Sequence, residues 1–300
     1  MKVVEQELIS QMASMRKKAA LNKEVDLSAM VKSGNQEQAY EALQLYRSRA
    51  LRYKSKGDIS NAIQLTASGS ICFLENEYET AGSELAALFL ELVADTKEMS
   101  EDLRDKSCEI DDRFKTNSIA RVEYLRSTVK LTVTCGTKEL GDPMIHTRLA
   151  ECLWYKYDKH CYYHFAAGEV PLLFCRLIFE RFVESSQSDS RDRALIIGIT
   201  NFLALENLRD AYELFYQYQR NNKSKNYNNQ TKLVQFCDYL LQTCRRDAAP
   251  LFKQLVNAYA SLLDFDESVP TLLMGPIAIK FFNIKPKVNP MMSMIQTMLA

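Results

Sequence analysis

The chain has 300 residues, 47% hydrophobic and 25% charged, the balance of a folded protein rather than a disordered one. Its 38 basic and 38 acidic side chains cancel, so net charge gives no general pull toward nucleic acid or an anionic membrane. Nine glycines and seven prolines are too few for an all-β or dinucleotide-binding chain of this size, and favour helices joined by short turns.

Residues 1–20 are charged throughout and lack the apolar run of a secretory signal. From Lys32, apolar residues fall at Ala39, Ala42, Leu43, Tyr46, Ala50 and Tyr53, one stripe of a helix that Gly57 ends. A second helix carries Ile59, Ala62, Ile63, Leu65, Ala67, Ile71 and Phe73 up to Asn76. A third starts at Tyr78 with Ala81, Leu85, Leu88, Phe89, Leu92 and Val93. The segments SGNQEQA, KGDISNA, ENEYETA and, later, LENLRDA each put a polar turn before a small residue one turn into a helix. Small residues there let neighbouring helices approach closely, as in tetratricopeptide packing, although the spacing is irregular and the full repeat signature is absent.

Residues 118–135 are predicted helical, with Ile119, Val122, Leu125, Val129 and Val133 in register. Asp142 and Pro143 mark a helix start, as cap and first residue. Further helices are predicted at 159–167, 171–183, 191–205, 208–219, 231–243, 247–263 and 268–281. Residues 221–230 form a polar loop, and an extended linker leads to a Met-rich amphipathic segment, 291–300. The longest nearly uncharged stretch, 194–205, is far short of the ~20 residues that span a bilayer, so a soluble, cytosolic protein is expected. None of the eight cysteines forms a C-x-x-C pair and most lie in apolar stretches, the pattern of reduced, buried thiols.

Catalytic motifs are missing. There is no phosphate loop, no G-x-G-x-x-G and no G-x-S-x-G. His160 and His164 are spaced as metal ligands on one helix, but Cys161 follows His160 where a metalloprotease has its glutamate, and a zinc site needs three or four ligands. Both are expected to be half-buried helix residues, and His146 structural; no metal and no cofactor are expected.

Charge is unevenly placed. Arg47, Arg49, Arg52, Lys54 and Lys56 form a basic run with no acid between Ala42 and Gly57. At about 100° per residue, Arg49, Arg52 and Lys56 share an arc of about 60°. This is a solvated face or a docking patch for an acidic partner; RNA binding fits less well, since alternating aromatic and basic residues are missing elsewhere. Residues 75–115 hold thirteen acids against five bases. Neighbouring helices of opposite sign either steer a partner or complement each other within the fold.

Taken together, YEALQLYRSRALRY, AIQLTASGSICFLENEYETAGSELAALFLELV, GDPMIHTRLAECLW with HFAAGE, and LLQTCRRDAAPLFKQLVNAYASLLDFDESVPTLLMGPIAIKFFNIKPK resemble the guided entry of tail-anchored proteins factor four family. The resemblance runs from about Lys32 to Lys287. It implies an all-α chain, one tetratricopeptide-like α-solenoid of antiparallel helix pairs over residues 1–300, without catalytic activity. The implied function is a cytosolic scaffold in delivering tail-anchored proteins to the endoplasmic reticulum. The N-terminal half, about 1–140, would dock the targeting ATPase through Arg47, Arg49, Arg52, Lys56 and Glu84. The C-terminal half, about 141–300, would hold a ubiquitin-like protein or a BAG-family scaffold (Scythe) around Phe236, Leu240, Phe252, Leu255, Tyr259 and Phe281, unless these six are ordinary solenoid core. The loop at 221–230 is short where fungal members carry a longer insert, which favours the animal-style partner. The rival reading is a tetratricopeptide-like subunit of an RNA-processing or proteasome-lid assembly.

Overall fold

A computed structural model describes residues 26–116, 118–225 and 231–284. Every regular element among them is helical. In order they are α1 (Leu27–Lys32), α2 (Gln36–Ser55), α3 (Ile59–Glu75), α4 (Glu79–Thr96), α5 (Glu101–Asp111), α6 (Ile119–Cys135), α7 (Pro143–Tyr155), α8 (Cys161–Ala167), α9 (Pro171–Arg181), α10 (Ser188–Ala204), α11 (Leu208–Ser224), α12 (Lys232–Arg245), α13 (Ala249–Leu263), α14 (Ser268–Leu272) and α15 (Ala278–Phe282). A 3-10 turn, Ser185–Gln187, precedes α10, and a π-helical turn, Leu273–Ile277, joins α14 to α15. The chain divides into two compact units, residues 1–124 and 125–300, with the boundary inside α6.

The hairpins share one turn. After α3, Glu77 N–H donates to Leu74 O and Tyr78 N–H to Phe73 O. The same two bonds recur at Gly57–Asp58, Tyr157–Asp158, Glu169–Val170, Glu206–Asn207 and Asp247–Ala248. The first residue of each pair has positive φ, between 50° and 78°. This is the Schellman closure, which satisfies the last helical carbonyls and reverses the chain into an antiparallel neighbour. Only Gly57 of the six is glycine, which is how the chain makes its hairpins with so few glycines. A side-chain cap then opens several of the next helices: Asp58 accepts from Asn61 N–H and Asn207 from Asp210 N–H.

In the first unit, Leu27, Val31, Ala39, Ala42, Leu43, Tyr46, Phe73 and Leu85 form one core, with Tyr46 edge-on to Phe73 at 5.9 Å between ring centres. Ala39 and Ala62 are the buried small residues their turns predicted, but on α4 the close approach falls at Gly82, not Ala81. A Cβ there would lie 2.6 Å from Leu74 Cγ. The second unit is organised around α10, whose residues 194–204 are all buried. A helix apolar on every side must be surrounded, and α8, α9, α11, α12 and α14 pack on it. Gly198 lets α10 lie against Phe174, which stacks on Phe165 at 4.7 Å.

Three expectations are corrected. The helix predicted over 268–281 is interrupted, because Pro276 lacks an N–H and Gly275 (φ −101°, ψ −107°) leaves helical geometry. The helix predicted to end at 219 continues to Ser224, taking the start of the expected polar loop; residues 226–230 and the Met-rich tail lie outside the described residues. His160 is exposed rather than half-buried, since it stands just before the first turn of α8 with its ring turned to Asp158. Helix α5 was not anticipated: it is mostly charged, and is made by the Ser100 cap and by ion pairs of Arg104 with Glu101 and Lys106 with Asp102.

Candidate partner-docking surfaces

The long α2 turns its apolar stripe inward and leaves its basic residues on the other faces. Two of those bases are engaged by α4. Arg47 Nη1 lies 3.2 Å from Glu84 Oε2, and Lys54 Nζ 2.6 Å from Asp95 Oδ2. The basic helix and the acidic helix thus do complement each other within the fold. Arg49 is half-buried, while Arg52 and Lys56 are exposed, and none of the three makes an ion pair among the described residues. Of the five residues expected at this face, Arg49, Arg52 and Lys56 share one side of α2 and its C-cap, while Arg47, about 160° round the helix from Arg49, is the one paired with Glu84 of α4. Both members of that pair are about half exposed, so it is worth at most ~1 kcal/mol and exchanges readily with an incoming charge.

The apolar candidates in the second unit separate into two groups. Phe236 and Leu240 on α12 and Phe252 on α13 have no accessible surface. Phe236 packs 5.3 Å from Tyr259, and Phe252 stacks on Phe282 at 4.4 Å. These three are core, so their side chains offer nothing to a partner. Leu255, Tyr259 and Phe281 are half-buried and reach the surface. Beside them stand exposed residues the sequence reading missed: Leu251 and Leu262 on α13 and Tyr239 on α12. A signal was present. On α13, Leu251, Leu255, Ala258 and Leu262 fall within about 60° of arc, a second apolar stripe beside the Phe252–Leu263 stripe that faces the core.

Among the described residues no three of His, Cys, Asp and Glu come together as a metal cage would require. All eight cysteines are free thiols, seven of them buried. Burial pushes the Cys161 and Cys244 thiols up to about 12 and Cys175 to about 11, which keeps them protonated and unreactive at neutral pH. No helix among the described residues is long and apolar enough to cross a membrane.

A family model described as Golgi to ER traffic protein 4 matches residues 56–299. The chain belongs to that family. Among its curated relatives, Protein GET4 of Arabidopsis thaliana is 27% identical, covering 89% of this chain and 91% of its own length. The Golgi to ER traffic protein 4 homolog of Dictyostelium discoideum is 25% identical over 86% of this chain and 82% of its own. A crystal structure of C. therm. Get4 superposes with a TM-score of 0.75 at 22% identity, covering 91% of this chain and 93% of that one. The all-α solenoid fold class is thereby shown for this Golgi to ER traffic protein 4 family member. The family match opens at Lys56, so Arg47, Arg49 and Arg52 precede it, whereas Glu84 and the α12–α13 hairpin lie within it.

Proposed function

We propose that the chain is a non-catalytic cytosolic scaffold. It bridges the ATPase that targets tail-anchored proteins to a ubiquitin-like or BAG-family holdase partner, ahead of insertion into the endoplasmic reticulum membrane. Membership of the Golgi to ER traffic protein 4 family carries this reading. It is supported by two surfaces of unlike chemistry: the basic face at α2 and its C-cap with Arg49, Arg52 and Lys56, and the exposed apolar stripe of α13 with Leu251, Leu255 and Leu262.

The physical case follows from the cargo. An apolar membrane helix aggregates in water unless it passes directly between holders. A scaffold that binds donor and acceptor together turns that transfer into a local event, at an effective concentration in the ~mM range for short tethers. Charged contact at α2 forms fast and releases readily, as suits a cycling ATPase, whereas apolar contact at α13 is longer lived.

The test is binding of purified ATPase and holdase partner to the R49E/R52E variant and to a L251D/L255D variant. R49E/R52E is expected to lose the ATPase by at least about tenfold and keep the holdase; L251D/L255D is expected to do the reverse. Equal loss of both partners in either variant overturns the two-surface reading, and retention of RNA in place of either partner overturns the function.

A further inference from the structure

Helix α13 carries more apolar surface than the fold covers. It packs on α12 and α14, yet only Phe252 and Leu263 of its fifteen residues are buried. Leu251 and Leu262 are exposed at 55% and 37%, Ala258 is exposed, and Leu255 is half-buried. Spacings of four, three and four residues set Leu251, Leu255, Ala258 and Leu262 along one seam, the spacing by which one helix packs along another. Ala258 leaves room in that seam for a large side chain. At about 1.5 Å per residue the seam runs roughly 17 Å.

The chain itself supplies a segment of matching length and chemistry. Residues 291–300, MMSMIQTMLA, carry no charged side chain, and Met291, Met294, Ile295, Met298 and Leu299 share one face of a helix. Asn289 and Pro290 before them repeat the cap-and-proline start that Asp142 and Pro143 give α7. Ten residues are too few to hold a helix alone in water, so the segment needs a surface to wind against. Methionine suits that use, since its unbranched side chain fills irregular apolar ground.

The point where the described chain ends selects the surface. Phe282 stacks on Phe252 in the first turn of α13, and Ile284, two residues on, donates its N–H to Ala278 O. The exit therefore lies beside the end of α13 that bears Leu251. Six residues, 285–290, join Ile284 to Met291. At about 3.3 Å each they reach roughly 20 Å, enough to bring the segment onto any part of the seam.

We propose that residues 291–300 fold back as an amphipathic helix onto the Leu251–Leu262 seam of α13, so that the chain covers this face itself until a partner displaces the segment. The short linker gives the segment an effective concentration in the ~mM range, so a contact too weak to form between separate molecules closes within one. The internal contact stands apart from the function proposed above; that the displacing partner is the holdase rests on that reading.

Hydrogen–deuterium exchange of the full chain, read by mass spectrometry against a synthetic peptide of residues 285–300, tests the contact without any partner. Residues 291–300 are expected to exchange about tenfold more slowly in the chain than in the peptide, at a rate independent of protein concentration. Leu251→Asp/Leu262→Asp, which changes only exposed side chains, is expected to return them to the peptide rate while α10 keeps its protection. Met294→Asp/Met298→Asp is expected to do the same and to tighten holdase binding several-fold, because the segment no longer competes. Exchange at the peptide rate in the natural chain overturns the proposal. So does protection that survives Leu251→Asp/Leu262→Asp, or protection that rises with protein concentration, which would give the face to a second copy. Unchanged holdase affinity in Met294→Asp/Met298→Asp overturns the competition. A holdase that binds neither the natural chain nor this variant overturns the proposed function and not the contact, which exchange reads by itself.

Discussion

At the residue scale, two ion pairs with the same chemistry differ in environment. Asp111 has no accessible surface and accepts two bonds from Arg121, at 2.7 and 2.8 Å. Asp111→Ala removes the buried carboxylate that holds the part-buried Arg121 guanidinium and is expected to cost about 3 kcal/mol in urea denaturation, whereas Glu84→Ala at the exposed Arg47 pair is expected to cost less than about 1. His146 and His164, whose Nδ1 atoms lie 2.8 Å apart, make stability depend on pH. His164 titrates at about 4 when folded against 6.5 unfolded, so below 6.5 the unfolded chain binds a proton that the folded chain does not. That contribution is whole above pH 6.5, declines as pH falls and is gone below about 4. His146, lowered by burial, adds in the same direction. Urea midpoints measured from pH 7.5 to 4 are expected to fall less steeply in His164→Gln than in the natural chain.

Among the elements, α7 shows how local chemistry sets a boundary. Asp142 Oδ1 accepts from Met144 N–H at 2.8 Å and Ile145 N–H at 3.4 Å, and Pro143 occupies the first helical position, where no N–H is needed. Asp142→Ala is expected to lower stability by about 1 kcal/mol, read from the thermal midpoint, and Asp142→Ser to recover most of it. This start was legible because cap and proline are adjacent in sequence. The α12–α13 face was legible only in part. Periodicity marks Phe236, Leu240 and Phe252 as apolar, but an apolar stripe reads the same whether a neighbouring helix or a partner covers it. Burial decides, and it assigns all three to the core. Helix α5 went unread for the opposite reason: its stability comes from charge pairs and a cap, not from a stripe.

For the whole molecule, two surfaces of unlike chemistry should separate in salt. On the proposed function, ATPase binding through Arg49, Arg52 and Lys56 is expected to weaken several-fold between about 50 mM and 500 mM NaCl, because the Debye length shrinks below the contact range of exposed charges. Holdase binding through the α13 stripe is expected to hold or tighten slightly, since apolar contact is not screened. Parallel equilibrium titrations of the two partners measure both. A common salt dependence would place both partners on one kind of surface.

The amino-acid sequence by itself determined the helical class, most helix positions, the order of the turns and the basic run on α2, because each depends on residues within a few positions of one another. It also carried the resemblance that pointed to the family. Tertiary structure alone decided which charges are spent within the fold, as Arg47 is on Glu84, and which apolar residues are out of reach, as Phe252 is beneath Phe282. It alone decided that the Nδ1 atoms of His146 and His164, eighteen residues apart in the chain, meet at 2.8 Å, because that contact is set by how α7 packs on α8. Pairing, burial and protonation depend on what lies across a helix interface, and that is a property of the packed chain rather than of any segment in it.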